Sequence, residues 1–323
     1  FNENPSLINP ALTGVASVFR VSAIYRDQWR TVTVPYKTYG VSVESRFKTT
    51  SWNKVEGKSM TFSKSSFSKF AGGLSFYSDK AGDGNMSINQ LNASLASFVT
   101  LNANNKLSLG LQGSLAQRKI DFSKLIFSNQ YNGKGYDETM INGENIASQV
   151  FMYPDFSAGL NWSYITKDNL VGLNKQKKAN VGVAVYHINK PNQSYLGKNG
   201  AKLDMKYVFH GDFLFCIAGT NIGIAPTYLV QFQGPIKEFV AGTLIKYYIH
   251  EDSKYTGIIQ RTAVNIGAFY RYNDAVIFSF SYDKRQQYSI GFIYDLFLFW
   301  FSKASKLSGG PEITLKFNTA ISY

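Results

Sequence analysis

Hydrophobic and polar residues alternate with a period of two along most of this chain. At its C-terminal end Ile313, Leu315, Phe317, Thr319, Ile321 and Tyr323 interleave with Thr314, Lys316, Asn318, Ala320 and Ser322. Such a period places the two sets on opposite faces of one strand. Upstream, Val276, Phe278, Phe280 and Tyr282 oppose Ile277, Ser279, Ser281 and Asp283, and Tyr288, Ile290, Phe292 and Tyr294 alternate with smaller residues. Near the start, Tyr39, Val41, Val43 and Phe47 face away from Thr38, Gly40, Ser42, Glu44 and Arg46, while Leu107, Leu109, Leu111 and Leu115 oppose Ser108, Gly110, Gln112 and Ser114.

Extended along the whole chain, the pattern predicts strands near residues 17–27, 35–47, 68–78, 88–101, 105–119, 151–166 and 178–189. A second set follows near 203–217, 221–232, 238–249, 258–272, 275–283, 286–297 and 311–323. The total is about 14, even as bacterial single-chain barrels require, and the strands are long enough for a tilted membrane crossing.

A soluble sandwich also alternates, so the second face decides between the two. In a sandwich that face is solvated and strongly charged. Here it is rich in Gly, Ser, Asn, Thr and Gln, with isolated charges at Arg20, Glu44, Arg46, Arg118, Arg271 and Lys316. These six are expected to line a wet or loosely filled lumen. The apolar face carries Tyr and Phe near strand ends, as an interfacial girdle would. An open sheet edge in lipid leaves backbone groups without partners, so the sheet must close. The expected fold is all-β: a transmembrane antiparallel barrel over residues 15–323, placed in a bacterial outer membrane. Residues 1–14, rich in Asn and Pro, form no strand of their own and are expected as a lumenal plug or, less favoured, as a periplasmic segment.

Composition agrees with this reading. The chain of 323 residues is 15% aromatic, with 21 Tyr, 25 Phe and 27 Gly, and only 8 Pro. No run of eighteen uncharged apolar residues marks a transmembrane helix. A net charge of +13 implies attraction to phosphate-bearing outer-membrane lipid, lipopolysaccharide or acidic partners. Nucleic acid would also attract such a charge, but the chain has no basic helix or zinc module to carry that reading. The lone Cys216 excludes an internal disulfide. The polar, turn-rich start at Phe1 leads us to expect that an export signal has already been removed.

Connections near 102–105 and 219–221 are short, whereas 120–150 and 190–202 are long and 79–85 is compact. Short turns face the periplasm in such barrels and long loops face outward, which leaves both termini in the periplasm. The Ser/Lys-rich stretch 49–66 does not fit that rule.

Asn9-Pro10-Ala11 with Gly14, followed by Tyr25-Arg26-Asp27-Gln28-Trp29, resembles the opening of the PorP/SprF family of Bacteroidota outer-membrane proteins. The resemblance continues through Asp79 with Ala81-Gly82-Asp83-Gly84, Leu107-Ser108-Leu109-Gly110, and Asp155-Phe156-Ser157-Ala158-Gly159. It then covers Gly182 through His187 to Pro191, Tyr294-Asp295, and Glu312-Ile313-Thr314-Leu315. It implies a part in type IX secretion or gliding motility, with secretion or surface attachment of an adhesin through the adhesin's C-terminal domain, alongside other secretion components. A channel or porin for small solutes is the alternative that the polar inner face suggests.

Arg26 and Trp29 end the first strand, where they are candidates for partner recognition. Arg26 pairing with a lumenal carboxylate such as Glu44, and Trp29 sitting in the interface belt, is the plainer reading. Asp79 and Asp83 flank Gly82, but an EF-hand needs a Glu where this chain has Gln90, so a glycine-bearing hairpin is preferred to calcium. The run Leu296 to Phe301 breaks alternation, and Phe299, Trp300 and Phe301 are candidates either for a partner or for the lipid interface. His187, His210 and His250 show no metal-ligand spacing. No catalytic elbow or nucleotide fingerprint is present, so neither metal, cofactor nor enzymatic activity is expected.

Overall fold

The computed structural model describes residues 4–28, 34–49, 66–82, 84–121, 125, 127–137, 139–141, 143, 150–166, 177–194, 202–250, 262–297 and 309–319. Fourteen strands follow one another in these residues. They are β1 (Phe19–Gln28), β2 (Tyr36–Thr49), β3 (Ser66–Ala81), β4 (Met86–Thr100), β5 (Asn105–Lys119), β6 (Val150–Ile165) and β7 (Lys177–Tyr186), then β8 (Lys206–Cys216), β9 (Ile222–Gln233), β10 (Ile236–His250), β11 (Thr262–Arg271), β12 (Ala275–Lys284), β13 (Tyr288–Phe297) and β14 (Pro311–Thr319). Each strand pairs antiparallel with its neighbours in sequence, and β1 closes on β14 through a register running from Phe19 opposite Thr319 to Arg26 opposite Glu312. The predicted barrel and strand number hold. Among the described residues the boundaries differ by a few residues, because ladder pairing rather than side-chain pattern ends a strand; the predicted strand residues 258–261 and 320–323 lie outside the described residues.

The faces are inverted relative to a soluble protein. Leu95, Leu74 and Leu111 on the outer wall are 60–64% exposed, whereas Ser22, Ser42, Asn92, Ser108, Asn161 and Thr314 on the inner wall are buried. Only a hydrocarbon surround makes that arrangement favourable, since exposed apolar area on this scale drives association in water. Outward aromatic pairs mark both rims of the apolar band. Tyr25 and Tyr39 lie 5.2 Å apart near one end, and Tyr288 and Phe317 also lie 5.2 Å apart near the other.

Loop length does not separate the two ends as expected. The end bearing both termini carries the connections 50–65, 166–176 and 251–261, while 234–235 and 272–274 are tight hairpins at the opposite end. A two-residue hairpin is set by local register and by a residue such as Gly234 at φ +53, not by the side of the sheet on which it falls.

The lumen is layered. Within the wet or loosely filled lumen that was expected, Ala184, Tyr186, Val208, Leu229, Val240 and Phe269 form an apolar layer, with Ile8 of the N-terminal segment packed against it. Ionic residues lie on either side. The layer draws on inward residues of five strands, each carrying only one or two of its members, so no single strand's pattern announces it.

Candidate functional site

The N-terminal segment passes through the lumen in two short 3-10 turns, Pro5–Leu7 and Pro10–Leu12. A proline in the first turn suits both, because it fixes φ and gives up an amide that has no intrahelical partner. Asn9 caps the second turn by accepting a hydrogen bond from the Ala11 amide at 2.9 Å. Its other side-chain atom, Nδ2, donates to the backbone carbonyls of Leu160 and Val183 at 3.1 and 3.2 Å and lies 3.0 Å from His210 Nε2. Asn9 is 0% exposed. One side chain therefore ties the segment to β6, β7 and β8.

The wall beneath is shaped to admit it. Gly110 and Gly159 stand opposite each other on β5 and β6. A Cβ on Gly110 would overlap the Pro10–Ala11 backbone, and one on Gly159 would overlap Asn9 Oδ1. Further along, Thr13 donates to Ser94 at 3.0 Å, and the Tyr186 hydroxyl donates to the Leu7 carbonyl at 3.1 Å.

Two of the six expected lumen residues grip this segment. Glu44 accepts from the Gly14 amide at 2.9 Å. Arg46 Nε donates to the Gly14 carbonyl, with its guanidinium 4.5 Å from the centre of the Phe98 ring. Gly14, at φ +71, is held between opposite charges. Of the others, Arg20 donates to Asn318 at 3.0 Å, Arg118 interacts with Tyr153, and Lys316 and Arg20 border a cavity below the segment.

Arg271 belongs to an ionic cluster at the far end of the lumen. It meets Asp274 at 2.7 Å, Asp295 at 3.0 Å and Glu238 at 3.6 Å. Arg26 joins through Asp295 at 2.5 Å and Glu312 at 3.7 Å. Arg26 thus pairs with lumenal carboxylates, as the plainer reading expected, but with Asp295 and Glu312 in place of Glu44. Glu44 stands opposite Arg20, whereas Arg26 stands opposite Thr38 and Glu312. Six residues along an extended strand separate the two sites by about 20 Å.

Among the other candidates, Asp79 accepts from Thr38 at 2.9 Å on the inner wall, at the same end as Arg26. The neighbouring connection turns at Gly82, φ +69, where the Asn85 amide donates to the Gly82 carbonyl at 3.0 Å. Asp83, Trp29, Phe299, Trp300 and Phe301 lie outside the described residues. His187 sits 2.9 Å from the buried Asp155, and Cys216 is buried beside Tyr248. Among the described residues, no group of three or more His, Cys, Asp or Glu side chains is placed to hold a metal ion.

The sequence reading did not single out Asn9, Gly110 or Gly159 as contacts of one another. The available signal was glycine at inward positions of successive strands, together with a buried-type cap in a proline-rich start.

A family model described as type IX secretion system membrane protein PorP/SprF matches residues 1–317. Among solved structures, the Ralstonia pickettii toluene transporter TbuX is similar at TM-score 0.51 and 11% identity, over 97% of this chain and 93% of that one. An outer membrane channel of Pseudomonas putida F1 (TM-score 0.41, 8% identity, 94% of each chain) and a Pseudomonas aeruginosa FadL homologue (0.41, 10% identity, 98% of this chain and 95% of that one) are further relatives in shape. No curated protein matches the chain by sequence.

Proposed function

Because this chain belongs to the PorP/SprF family of type IX secretion system membrane proteins and is an outer-membrane barrel, we propose that it is a plugged, non-enzymatic anchor holding an exported adhesin by the adhesin's C-terminal domain. The observation that carries the reading is the occupied lumen. A segment pinned by a 0%-exposed Asn9 suits a barrel that holds a partner rather than one that passes solute freely. The partner contact is assigned to the end bearing Arg26 and Asp79, with Trp29, Asp83 and Phe299–Phe301 as further contacts. Other secretion components and lipopolysaccharide are its remaining partners. Purification from native membranes is expected to recover a large surface protein with the barrel; recovery of the barrel alone overturns the reading.

A small-solute channel is the second reading, favoured by a lumenal cavity of about 300 Å³. Planar-bilayer recording separates the two, since silence is expected of an anchor and a large steady conductance of a channel.

A further inference from the structure

The ladder between β8 and β9 lapses in mid-strand. Asp212 pairs with Thr227 and Phe215 with Ile224 in one register, yet Phe213 and Leu214 between them are not paired with Pro226 and Ala225, which that register sets opposite. The cause lies in the sequence. Pro226 has no amide hydrogen, and the N–H of a strand residue serves only one of its two neighbouring strands. Pro226 keeps its place opposite Thr243 in a continuous β9–β10 ladder, so the missing donor falls on the β8 side. Proline within a sheet is ordinarily confined to edges and bulges. Here it leaves a gap in the wall of a closed one.

The lumenal cavity reaches that gap. Much of its lining is inward side chains such as Asp212, Leu214 and Ala225, but Gly211, Phe213 and Tyr228 border it too, and by alternation these belong to the outward set. The Phe213 ring stacks 6.3 Å from that of Phe215, which is exposed on the outer wall. Tyr228 lies 6.4 Å from Phe213 and fills the room that a side chain would need at Gly211. Residues of both faces line one space only where the wall between them is open. Phe209 on one side of the gap, and Phe215 and Ile224 on the other, are exposed apolar residues, so the opening falls within the lipid-facing band.

Inside, Ile8, Leu12 and Val15 of the N-terminal segment face the same space as Leu214, Ala225 and Leu244. The charged groups that border it are engaged with one another. Asp212 accepts from Asn180 and Asp283 from Asn265, each at 2.8 Å, while Lys178 and Lys246 act on Asp212, and Lys246 and Lys316 act on Asp283. An apolar chain would displace water from the aliphatic surface and leave these pairings as they are.

We propose that the cavity takes the end of a lipid acyl chain, which enters from the bilayer between β8 and β9 beside Phe213 and Tyr228. A space of about 300 Å³ is small for a ligand pocket and holds the end of one chain rather than a whole lipid. This binding is independent of adhesin anchoring, so either stands if the other fails.

The test uses the full chain folded into phosphatidylcholine vesicles, to which a phosphatidylcholine with a diazirine at the end of one acyl chain is added afterwards. Irradiation and peptide mass spectrometry are expected to find label on Asp212, Leu214 and Leu244 inside the barrel as well as on Leu74 and Leu95 of the outer wall. Pro226→Val supplies the missing amide and is expected to cut the lumenal label about threefold or more, a shift within reach of one added hydrogen bond. Unchanged label on Leu74 and Leu95 shows that the variant is folded. Label confined to the outer wall of the unaltered chain overturns the proposal without any variant. Lumenal label that Pro226→Val leaves undiminished overturns it too, as does an equal or stronger lumenal label from a water-soluble diazirine acid, the mark of entry through the barrel mouth.

Discussion

Asn9 donates a hydrogen bond of 3.1 Å to the main-chain carbonyl of Leu160, joining a residue at the head of the chain to the middle of the sixth strand. With Val183 and His210 sharing the same side chain, the contact makes the N-terminal segment part of the barrel's interior rather than an appendage to it.

Asn9→Ala is expected to loosen the segment without opening the barrel. Two strand carbonyls lose a buried donor, and the turn loses its cap, for a local cost of about 2 kcal/mol or more. Hydrogen exchange should rise over residues 4–17 and stay unchanged in β6 and β7. Unaltered protection of the segment would contradict the role given to Asn9.

Gly159→Ala should reproduce that effect from the opposite side of the contact, since its new methyl occupies the position of Asn9 Oδ1. Gly113→Ala is the control, with its nearest neighbour, the Phe156 ring, at 3.9 Å. The two variants Asn9→Ala and Gly159→Ala act on one contact, so the double variant is expected to exchange no faster than either alone. Additive losses would mean that the two residues act separately.

Asp295→Asn is expected to be the most damaging single change in the ionic cluster. Asp295 is 2% exposed and receives both Arg26 and Arg271, and stripping its charge leaves two guanidiniums facing each other at a cost of about 3 kcal/mol. Arg271→Gln should cost less, because Arg26 still reaches the carboxylate at 2.5 Å. The temperature at which the barrel loses its compact electrophoretic migration gives the comparison, and an inverted order of the two variants would be evidence against this account.

Leu95→Arg tests the lipid-facing wall. A cation there, on a side chain 64% exposed to acyl chains, should destabilise the barrel by about 2–4 kcal/mol if the position lies near the bilayer midplane. Val99→Arg, on the same face near the end of β4, should cost about 0–1 kcal/mol. Urea titration of folding into lipid vesicles measures both, and equal costs would mean that the apolar band is not a membrane-spanning one.

Much of the fold was legible because strand alternation is a local property. Ser94 and Leu95 are neighbours in sequence, and a period of two sends one inward and the other to lipid whatever the rest of the chain does. The charged inner positions Glu44, Arg46 and Arg271 were readable in the same way. Their partners were not. Arg26 had Glu44 as a plausible mate on the adjacent strand, yet register sets Glu44 opposite Arg20, and closure of β1 on β14 brings Glu312 to Arg26 instead.

By itself the sequence determined the strands, their two faces and the family, since each follows from residues close together in the chain. Tertiary structure alone decided which side chains hold the N-terminal segment in the lumen. Asn9 meets Leu160, Val183 and His210 across separations of 151, 174 and 201 residues, and the apolar layer under Ile8 collects one or two side chains from each of five strands. Contacts of that span depend on how far each strand is staggered when the sheet closes, and stagger is a property of all fourteen strands together.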